Sequence, residues 1–126
     1  MLALRGPLGA GKSVLARAIA RGAGVTGPIP SPTFNLLFHY QATDRRTGVM
    51  HFDLYRLTDP TEVWELGWSE VGDGERIVLI EWPERAEALL PPDRWDVTLD
   101  VDAQDGIRVI NAERRGEAPR LPEPAA

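Results

Sequence analysis

The sequence contains no cysteine, no long apolar run and no excess of positive charge. Without cysteine, neither disulfide bonds nor cysteine-ligated zinc contribute to the protein. No segment is long and apolar enough for a transmembrane helix, and no signal-peptide pattern precedes the first motif, so we expect a soluble cytoplasmic protein without membrane contacts. The formal net charge of −5 argues against tight, autonomous binding of nucleic acid, which usually needs a basic face.

Lysine is also nearly absent. The chain has 14 Lys+Arg residues, and Lys12 is the only lysine among them. A genome that favours arginine codons would produce the same bias. The position of the one lysine is nevertheless informative, because a compact ammonium group is well suited to binding the phosphates of a nucleoside triphosphate.

Lys12 lies in a segment, Gly6–Ser13, that matches the phosphate-binding P-loop pattern G-x-x-x-x-G-K-[ST]. Glycines in this pattern let backbone N–H groups turn toward an anion in conformations that a side chain would block. The loop opens a helix whose N-terminus carries unpaired N–H groups and a partial positive charge. The pattern predicts a nucleotide site formed by Gly6, Leu8, Gly9, Ala10, Gly11, Lys12, Ser13 and Val14.

The residues around the loop fit this prediction. A P-loop needs a strand before it and a helix after it. The short apolar run within Leu2–Arg5 predicts the strand, and apolar residues at helical spacing predict a helix from Ser13 to Arg21. A glycine-rich turn without a ligand is the alternative, and the two flanking elements favour the nucleotide site.

The rest of the chain predicts a single α/β domain of the P-loop NTPase type, with a mixed sheet of central parallel strands and antiparallel hairpins. The apolar run Ile77–Ile80 needs cover on both faces, so we expect a central strand parallel to the first. The domain is assigned to residues 1–112, and the charged, proline-rich residues 113–126 are predicted to form a disordered tail. The other predicted elements are strands at Phe34–Tyr40, Val49–Leu54, Trp95–Val101 and Ile107–Ala112 and short helices at 60–66 and 83–90.

Two acidic residues are candidates for the chemistry of the site. Glu81 directly follows the central strand, where a carboxylate could organise Mg²⁺ and water beside Ser13. A strand-end glutamate that only faces solvent is the alternative. Asp53 shares a strand face with His51 and could orient the attacking water or hold Mg²⁺ through a water molecule. Asp53 could equally be a structural carboxylate paired with an arginine such as Arg56.

Three further residues lie near these candidates in the sequence. Trp82 is either a functional aromatic near the phosphates or a packing residue. Thr33 follows a glycine- and proline-rich loop and could sense the γ-phosphate, or it could simply mark the start of a strand. His51 is interpreted as structural, because no second histidine lies at metal-ligand spacing from it.

Five segments together resemble the TsaE family, the ATPase subunit of the bacterial machinery that makes threonylcarbamoyladenosine in tRNA. The motifs HFDLYRL and IEWP are far more specific than the P-loop alone, and the resemblance covers residues 1–112. In the family's order and spacing, the segments are GPLGAGKS (6–13), SPTF (31–34), HFDLYRL (51–57), EVWELG (62–67) and IEWP (80–83).

The resemblance implies a P-loop fold, ATP and Mg²⁺ as cofactors, and a complex with TsaB and TsaD proteins, through which the chain would meet tRNA indirectly. It also implies that ATP hydrolysis resets the transferase complex between turnovers and does not itself transfer the threonylcarbamoyl group. Carried over by residue, Lys12 would hold phosphates, and Ser13 and Glu81 would hold Mg²⁺.

The resemblance further implies roles for three residues outside the P-loop. Asp53 would be important for hydrolysis, Trp82 would lie close to the active site and Thr33 would belong to a nucleotide-sensing loop. The chain departs from the family at Pro7, where the family usually has aspartate, and proline fixes φ and removes an N–H group from the loop. The family also usually has a segment before the first strand that frames the adenine pocket, so we hypothesise that this chain is short at its N-terminus relative to a working homologue.

Three other functions are compatible with a P-loop to different degrees. A GTPase would need an Asn-Lys-x-Asp motif, which a chain whose only lysine is Lys12 does not contain. A small-molecule kinase usually adds an acceptor domain and a lid, for which 126 residues leave little room. A regulatory subunit that binds ATP without hydrolysing it is the non-enzyme alternative, and a measurement of hydrolysis separates it from an ATPase.

Overall fold

The computed structural model describes residues 1–7, 9–27, 36–42, 48–68, 71, 76–102 and 104–120. Among these residues a six-stranded mixed sheet dominates, accompanied by the α-helix α1 (Lys12–Gly22) and by 3₁₀ helices at Pro60–Leu66 and Pro83–Leu89. The strands are β1 (Leu2–Arg5), β2 (Leu37–Gln41), β3 (Gly48–Asp53), β4 (Arg76–Glu81), β5 (Arg94–Val101) and β6 (Arg108–Arg115).

The strand order is β2-β3-β4-β1-β5-β6. The four inner strands are parallel where they pair, and β2 and β6 are antiparallel to their neighbours at the two edges. The predicted α/β class, with central parallel strands and two antiparallel hairpins, is therefore confirmed. Because β1, β3 and β4 are parallel, their carboxyl ends lie side by side, and the P-loop follows the carboxyl end of β1.

The sheet is covered on both faces, as its apolar central strands require. On one face, Ala16 and Ala20 of α1 pack against Leu4, Leu79 and neighbouring apolar residues. On the other face, a second apolar cluster includes residues of β3 and β4 and the region of the 3₁₀ helices, with the ring centroids of Phe52 and Trp68 at 5.1 Å. Within the described residues, no helix has the length and apolar character needed to cross a membrane.

Helix boundaries follow local sequence signals closely. The 3₁₀ helix at Pro60–Leu66 begins as predicted, with the Asp59 carboxylate accepting a hydrogen bond from the Thr61 N–H at 3.0 Å. It ends at Gly67, whose φ of 87° places it in the left-handed region that favours glycine. The predicted helices at 60–66 and 83–90 are both 3₁₀ helices in the structure, the second of them spanning Pro83–Leu89.

The end of the chain differs from the sequence prediction. Strand β6 continues to Arg115, so the expectation that ordered structure ends at residue 112 is wrong for residues 113–115. Main-chain pairing with β5 extends the strand, since Arg115 lies opposite Arg94 in the ladder. Beyond it, the Glu117 N–H donates to Asp93 at 2.7 Å and Ala118 is buried. The remaining part of the predicted tail, residues 121–126, lies outside the described residues.

A buried carboxylate ties β6 to the rest of the sheet. Asp96 of β5 accepts hydrogen bonds from Arg5 and Arg94 through Oδ1, and from Arg115 through Oδ2 at 3.0 Å. Burial raises the pKa of Asp96, but the hydrogen bonds from the three guanidinium groups outweigh burial, so the pKa lies below its usual value. Arg5 also pairs with Glu87 at 2.9 Å, which attaches the second 3₁₀ helix to the same network.

We expect Asp96→Asn to lower the free energy of unfolding by about 2 to 3 kcal/mol, because the guanidinium groups lose a buried anion. Since folding lowers the pKa of Asp96, its contribution is present above the unfolded pKa of about 4 and is lost as pH falls through the lower folded pKa. Chemical denaturation at several pH values measures both effects. Asp100→Asn, at an exposed position of the same strand, is the control, and equal losses in the two variants would contradict the prediction.

Candidate functional site

The P-loop wraps the end of β1 in a conformation that its glycines make possible. Gly6, Gly9 and Gly11 have φ angles of 144°, 83° and 102°, all in the region that side chains rarely adopt. At Gly6 the requirement is also steric, since a Cβ there would collide with the carbonyl oxygen of Leu99. A substitution at Gly6 would therefore displace the loop from β5.

The first turn of α1 is open to an anion. Gly11 is the N-cap residue, no side chain caps the helix, and the first turn contains no acidic residue. The first helical hydrogen bond runs from the Leu15 N–H to the Gly11 carbonyl at 2.9 Å. The N–H groups of the preceding turn point out of the helix end, where the helix dipole adds partial positive charge. This arrangement fits a phosphate group.

Pro7 forms part of a tight turn at the rim of the loop. The Ala10 N–H donates to the Pro7 carbonyl oxygen at 3.1 Å, and Pro7 itself is exposed. The Ala10 side chain is buried in the apolar cluster that includes Ala16 and Leu99. The predicted contact at Leu8 lies outside the described residues.

The side chain of Lys12 is buried beneath the loop. Its Nζ donates to the Gly6 carbonyl oxygen at 2.5 Å and lies 3.3 Å from the centroid of the Trp82 ring. Burial lowers the pKa of the Lys12 ammonium from its usual value, and the nearby carboxylates of Glu84, Glu81 and Asp53 offset part of this effect. The one lysine of the chain thus lies among acidic groups and an aromatic face.

Glu81 connects the P-loop to the inner strands. It is the last residue of β4 and is only 2% exposed. Its Oε1 accepts a hydrogen bond from the Ser13 hydroxyl at 2.7 Å, and its Oε2 lies 2.6 Å from Nε2 of His51. The structure therefore brings the two predicted metal ligands, Ser13 and Glu81, into direct contact.

Asp53 lies beside Glu81 at the end of the neighbouring strand, where the two residues are register partners. Its Oδ1 accepts a hydrogen bond from the Tyr55 N–H at 3.1 Å. Burial raises the pKa of Asp53 and the negative charge of Glu81 adds to this effect, while the Tyr55 N–H, His51 and Lys12 counteract it in part. No ion pair between Asp53 and an arginine occurs among the described residues, and Asp53 lines the same cavity as Gly11 and Lys12.

Trp82 lines the site beside Lys12 and Tyr55. Its φ of 58° and ψ of 50° place it in the left-handed region, and it is the one described non-glycine residue with positive φ. This backbone turn directs the indole over Lys12 and toward Tyr55, with the two ring centroids 5.0 Å apart. Such strain in a bulky residue is typical of functional sites.

A cavity of about 370 Å³ opens between these groups. It brings together most of the residues predicted for the site, but Thr33 lies outside the described residues. Two residues that the sequence analysis did not assign, Tyr55 and Arg108, also line the cavity. Tyr55 belongs to the HFDLYRL motif, so the sequence could have identified it as a site residue. No motif surrounds Arg108 on β6. The described lining residues are Gly9, Gly11, Lys12, Ser13, Val14, Asp53, Tyr55, Glu81, Trp82 and Arg108.

The donor atoms at the loop fit magnesium better than a metal that is coordinated entirely by protein side chains. No cluster of three or more histidine, cysteine, aspartate or glutamate residues with metal-binding geometry occurs in the described part of the chain. Mg²⁺ prefers oxygen ligands and usually takes only one or two from the protein, with phosphates and water supplying the rest. The Ser13 hydroxyl and the Glu81 carboxylate provide such a pair.

Comparison with known proteins gives one consistent result. Residues 1–110 match the family model described as threonylcarbamoyl adenosine biosynthesis protein TsaE. A TsaE protein of Haemophilus influenzae is 38% identical over 110 residues, which cover 87% of this chain and 67% of the relative. A TsaE protein of Rickettsia conorii is 44% identical over 98 residues, which cover 77% of this chain and 54% of the relative.

Structural comparison agrees with the sequence comparison. The crystal structure of Bacillus subtilis YdiB superimposes with a TM-score of 0.72 at 30% sequence identity, covering 91% of this chain and 68% of that protein. A TsaE protein of the same organism is 35% identical over 99 residues, which cover 79% of this chain and 60% of the relative. The chain thus spans 54% to 67% of the length of these three curated relatives.

Proposed function

Because the chain belongs to the TsaE family, we propose that it is a magnesium-dependent subunit that binds and hydrolyses ATP within the assembly that forms threonylcarbamoyladenosine in tRNA. The contact at 2.7 Å between the Ser13 hydroxyl and the Glu81 carboxylate supports this proposal most directly. It joins the phosphate-binding loop to the end of the adjacent parallel strand, which is the arrangement that P-loop ATPases need for Mg²⁺.

The proposed mechanism divides the work among four side chains. Backbone N–H groups of the loop and the Lys12 ammonium hold the phosphates, while Ser13 and Glu81 supply metal ligands. Bound there, Mg²⁺ would neutralise charge on the β- and γ-phosphate oxygens. Asp53, whose carboxylate faces the same cavity, orients the attacking water and can accept its proton.

Partners are proposed from the family. We expect TsaD-like and TsaB-like proteins to assemble with the chain and to connect it indirectly to tRNA. ATP hydrolysis would then reset the transferase complex between turnovers. The net charge of −5 supports an indirect connection, because a direct complex with tRNA would require many phosphate contacts from basic residues.

The alternative is a regulatory subunit that binds ATP without hydrolysing it. Pro7 is the observation that favours this alternative, because proline removes one N–H group from the rim of the loop. The test is Mg²⁺-dependent ATP hydrolysis by this chain mixed with TsaB-like and TsaD-like proteins from the same organism. Stimulated turnover would support the ATPase, and an assembled complex that binds ATP without turnover would support the regulatory subunit.

We expect Asp53→Asn to lower turnover about 10²-fold, because loss of a general base typically costs this much or more. Nucleotide affinity should change little, since Asp53 orients water in the proposed mechanism and does not bind phosphate. Single-turnover hydrolysis and equilibrium nucleotide binding measure the two effects separately. Asp59→Asn is the matched control, because asparagine serves equally well as the N-cap of the 3₁₀ helix at Pro60–Leu66. Full activity in Asp53→Asn would remove this residue from the mechanism.

A further inference from the structure

His51 lies in the interior of the sheet, directly behind the proposed magnesium ligand. It occupies β3, is 1% exposed, and shares a sheet face with Asp53 two residues later. The adjacent strand presents Glu81 on the same face, since His51 is the register partner of Leu79 and Asp53 is the register partner of Glu81. This packing places an imidazole nitrogen 2.6 Å from Oε2 of Glu81.

The chemistry of the pair fixes the direction of the hydrogen bond. An ionised carboxylate can only accept, so the His51 Nε2–H is the donor. The other ring nitrogen, Nδ1, is buried and has no hydrogen-bond partner among the described residues.

The two oxygens of Glu81 therefore have different neighbours. Oε2 is held by His51 inside the sheet, while Oε1 faces the Ser13 hydroxyl at the P-loop. With Oε2 held by His51, Oε1 stays beside the Ser13 hydroxyl, and both oxygens can bind the same cation once the hydroxyl proton turns away. A buried partner of this kind usually sets the orientation and affinity of a metal-ligating side chain.

We propose that His51 is a positioning residue, which holds Glu81 in the orientation needed to bind Mg²⁺ together with Ser13. The inference rests on the proposed function, because it assigns His51 a role in the same site. The sequence suggested a structural role for His51, and the proposal adds a role in orienting a metal ligand.

The experiment uses the full chain and a fluorescent ATP analogue, and it measures the Mg²⁺ concentration at half-maximal enhancement of nucleotide binding. We expect His51→Leu to raise this concentration about 10-fold, because loss of such a partner commonly weakens metal binding by this factor. His51→Gln keeps an N–H donor within reach of Glu81 and should restore a value close to that of the wild type. Analogue binding without Mg²⁺ should be the same in all three proteins.

A second variant makes the test independent of whether His51→Leu folds. His51→Asn is polar but too short to reach Glu81, so it should behave like His51→Leu even if the leucine variant does not fold. The control is His39→Leu, at an exposed histidine on β2. A merely structural role would change the midpoint of thermal unfolding without separating asparagine from glutamine in the Mg²⁺ titration.

Two outcomes would overturn the proposal in distinguishable ways. Equal Mg²⁺ requirements in the wild type, His51→Asn and His51→Gln would refute the positioning role while leaving the proposed function intact. Absence of Mg²⁺-enhanced nucleotide binding in the wild type would refute the proposed function and the positioning role together.

Discussion

Lys12→Ala should weaken the binding of ATP about 10- to 150-fold, since a hydrogen bond to a charged group contributes about 1.5 to 3 kcal/mol. No other lysine exists in the chain to replace it. The alanine variant also loses the ammonium that lies between the Gly6 carbonyl and the Trp82 ring. We expect hydrolysis to fall further than affinity, because charge on the γ-phosphate oxygens increases toward the transition state.

Two variants separate a phosphate-binding role from a structural one. Lys12→Arg keeps the positive charge but replaces a compact ammonium by a planar, broader group, so we expect incomplete recovery of binding. Arg120→Ala removes an exposed cation outside the site and should leave affinity unchanged. Isothermal titration with MgATP, together with thermal unfolding of each variant, measures these effects. Wild-type affinity and turnover in Lys12→Ala would overturn the assignment of the whole site.

Glu81→Gln should leave ATP binding largely intact and reduce hydrolysis by about 10²-fold or more. Glutamine has the shape of glutamate but lacks the charge, and one of its two arms is an amide that donates where the carboxylate accepts. Glu81 has a donor on each oxygen, Ser13 on Oε1 and His51 on Oε2. The amide offers one acceptor oxygen where the carboxylate offers two, so the variant loses one possible metal-ligating oxygen and the negative charge.

The control for this variant is Glu84→Gln. Glu84 lies three residues away; its carboxylate is 44% exposed, lies 4.0 Å from Arg5 and, like Glu81, raises the pKa of Lys12 by its charge. An exposed ion pair of this kind contributes little, so we expect near wild-type turnover. Measuring the rate of the chemical step and the Mg²⁺ requirement in both variants distinguishes a metal ligand from a general electrostatic effect. If Glu81→Gln remains active, the essential carboxylate of the site would be Asp53.

The sequence was most informative where short-range chemistry determines the backbone. Pro60 and Gly67 mark the ends of a 3₁₀ helix because proline fits the first helical position and glycine accepts positive φ. The strand at Leu2–Arg5 has the predicted bounds, and α1 is longer than predicted by one residue at each end. The antiparallel pairing of β2 with β3 agrees with the prediction of antiparallel hairpins in the sheet.

Contacts between distant residues were less accessible from the sequence. Arg108 reaches the P-loop from β6, and a Cβ placed on Gly11 would lie 3.8 Å from its Nε. No periodicity around Arg108 distinguishes it from other exposed arginines. The extension of β6 to Arg115 also depends on distant residues. Its last residues are charged, and they form a strand because they pair with β5 and because Arg115 forms an ion pair with Asp96.

By itself, the sequence determined the P-loop, its flanking strand and helix, the α/β class and the resemblance to TsaE, because these depend on glycine, proline and apolar residues at short, fixed spacings. Only the tertiary structure decided that Ser13 and His51 contact opposite oxygens of Glu81, and that Lys12 lies beneath Trp82. Those contacts depend on strand order and register, and a shift of one residue would turn each side chain to the opposite face of the sheet.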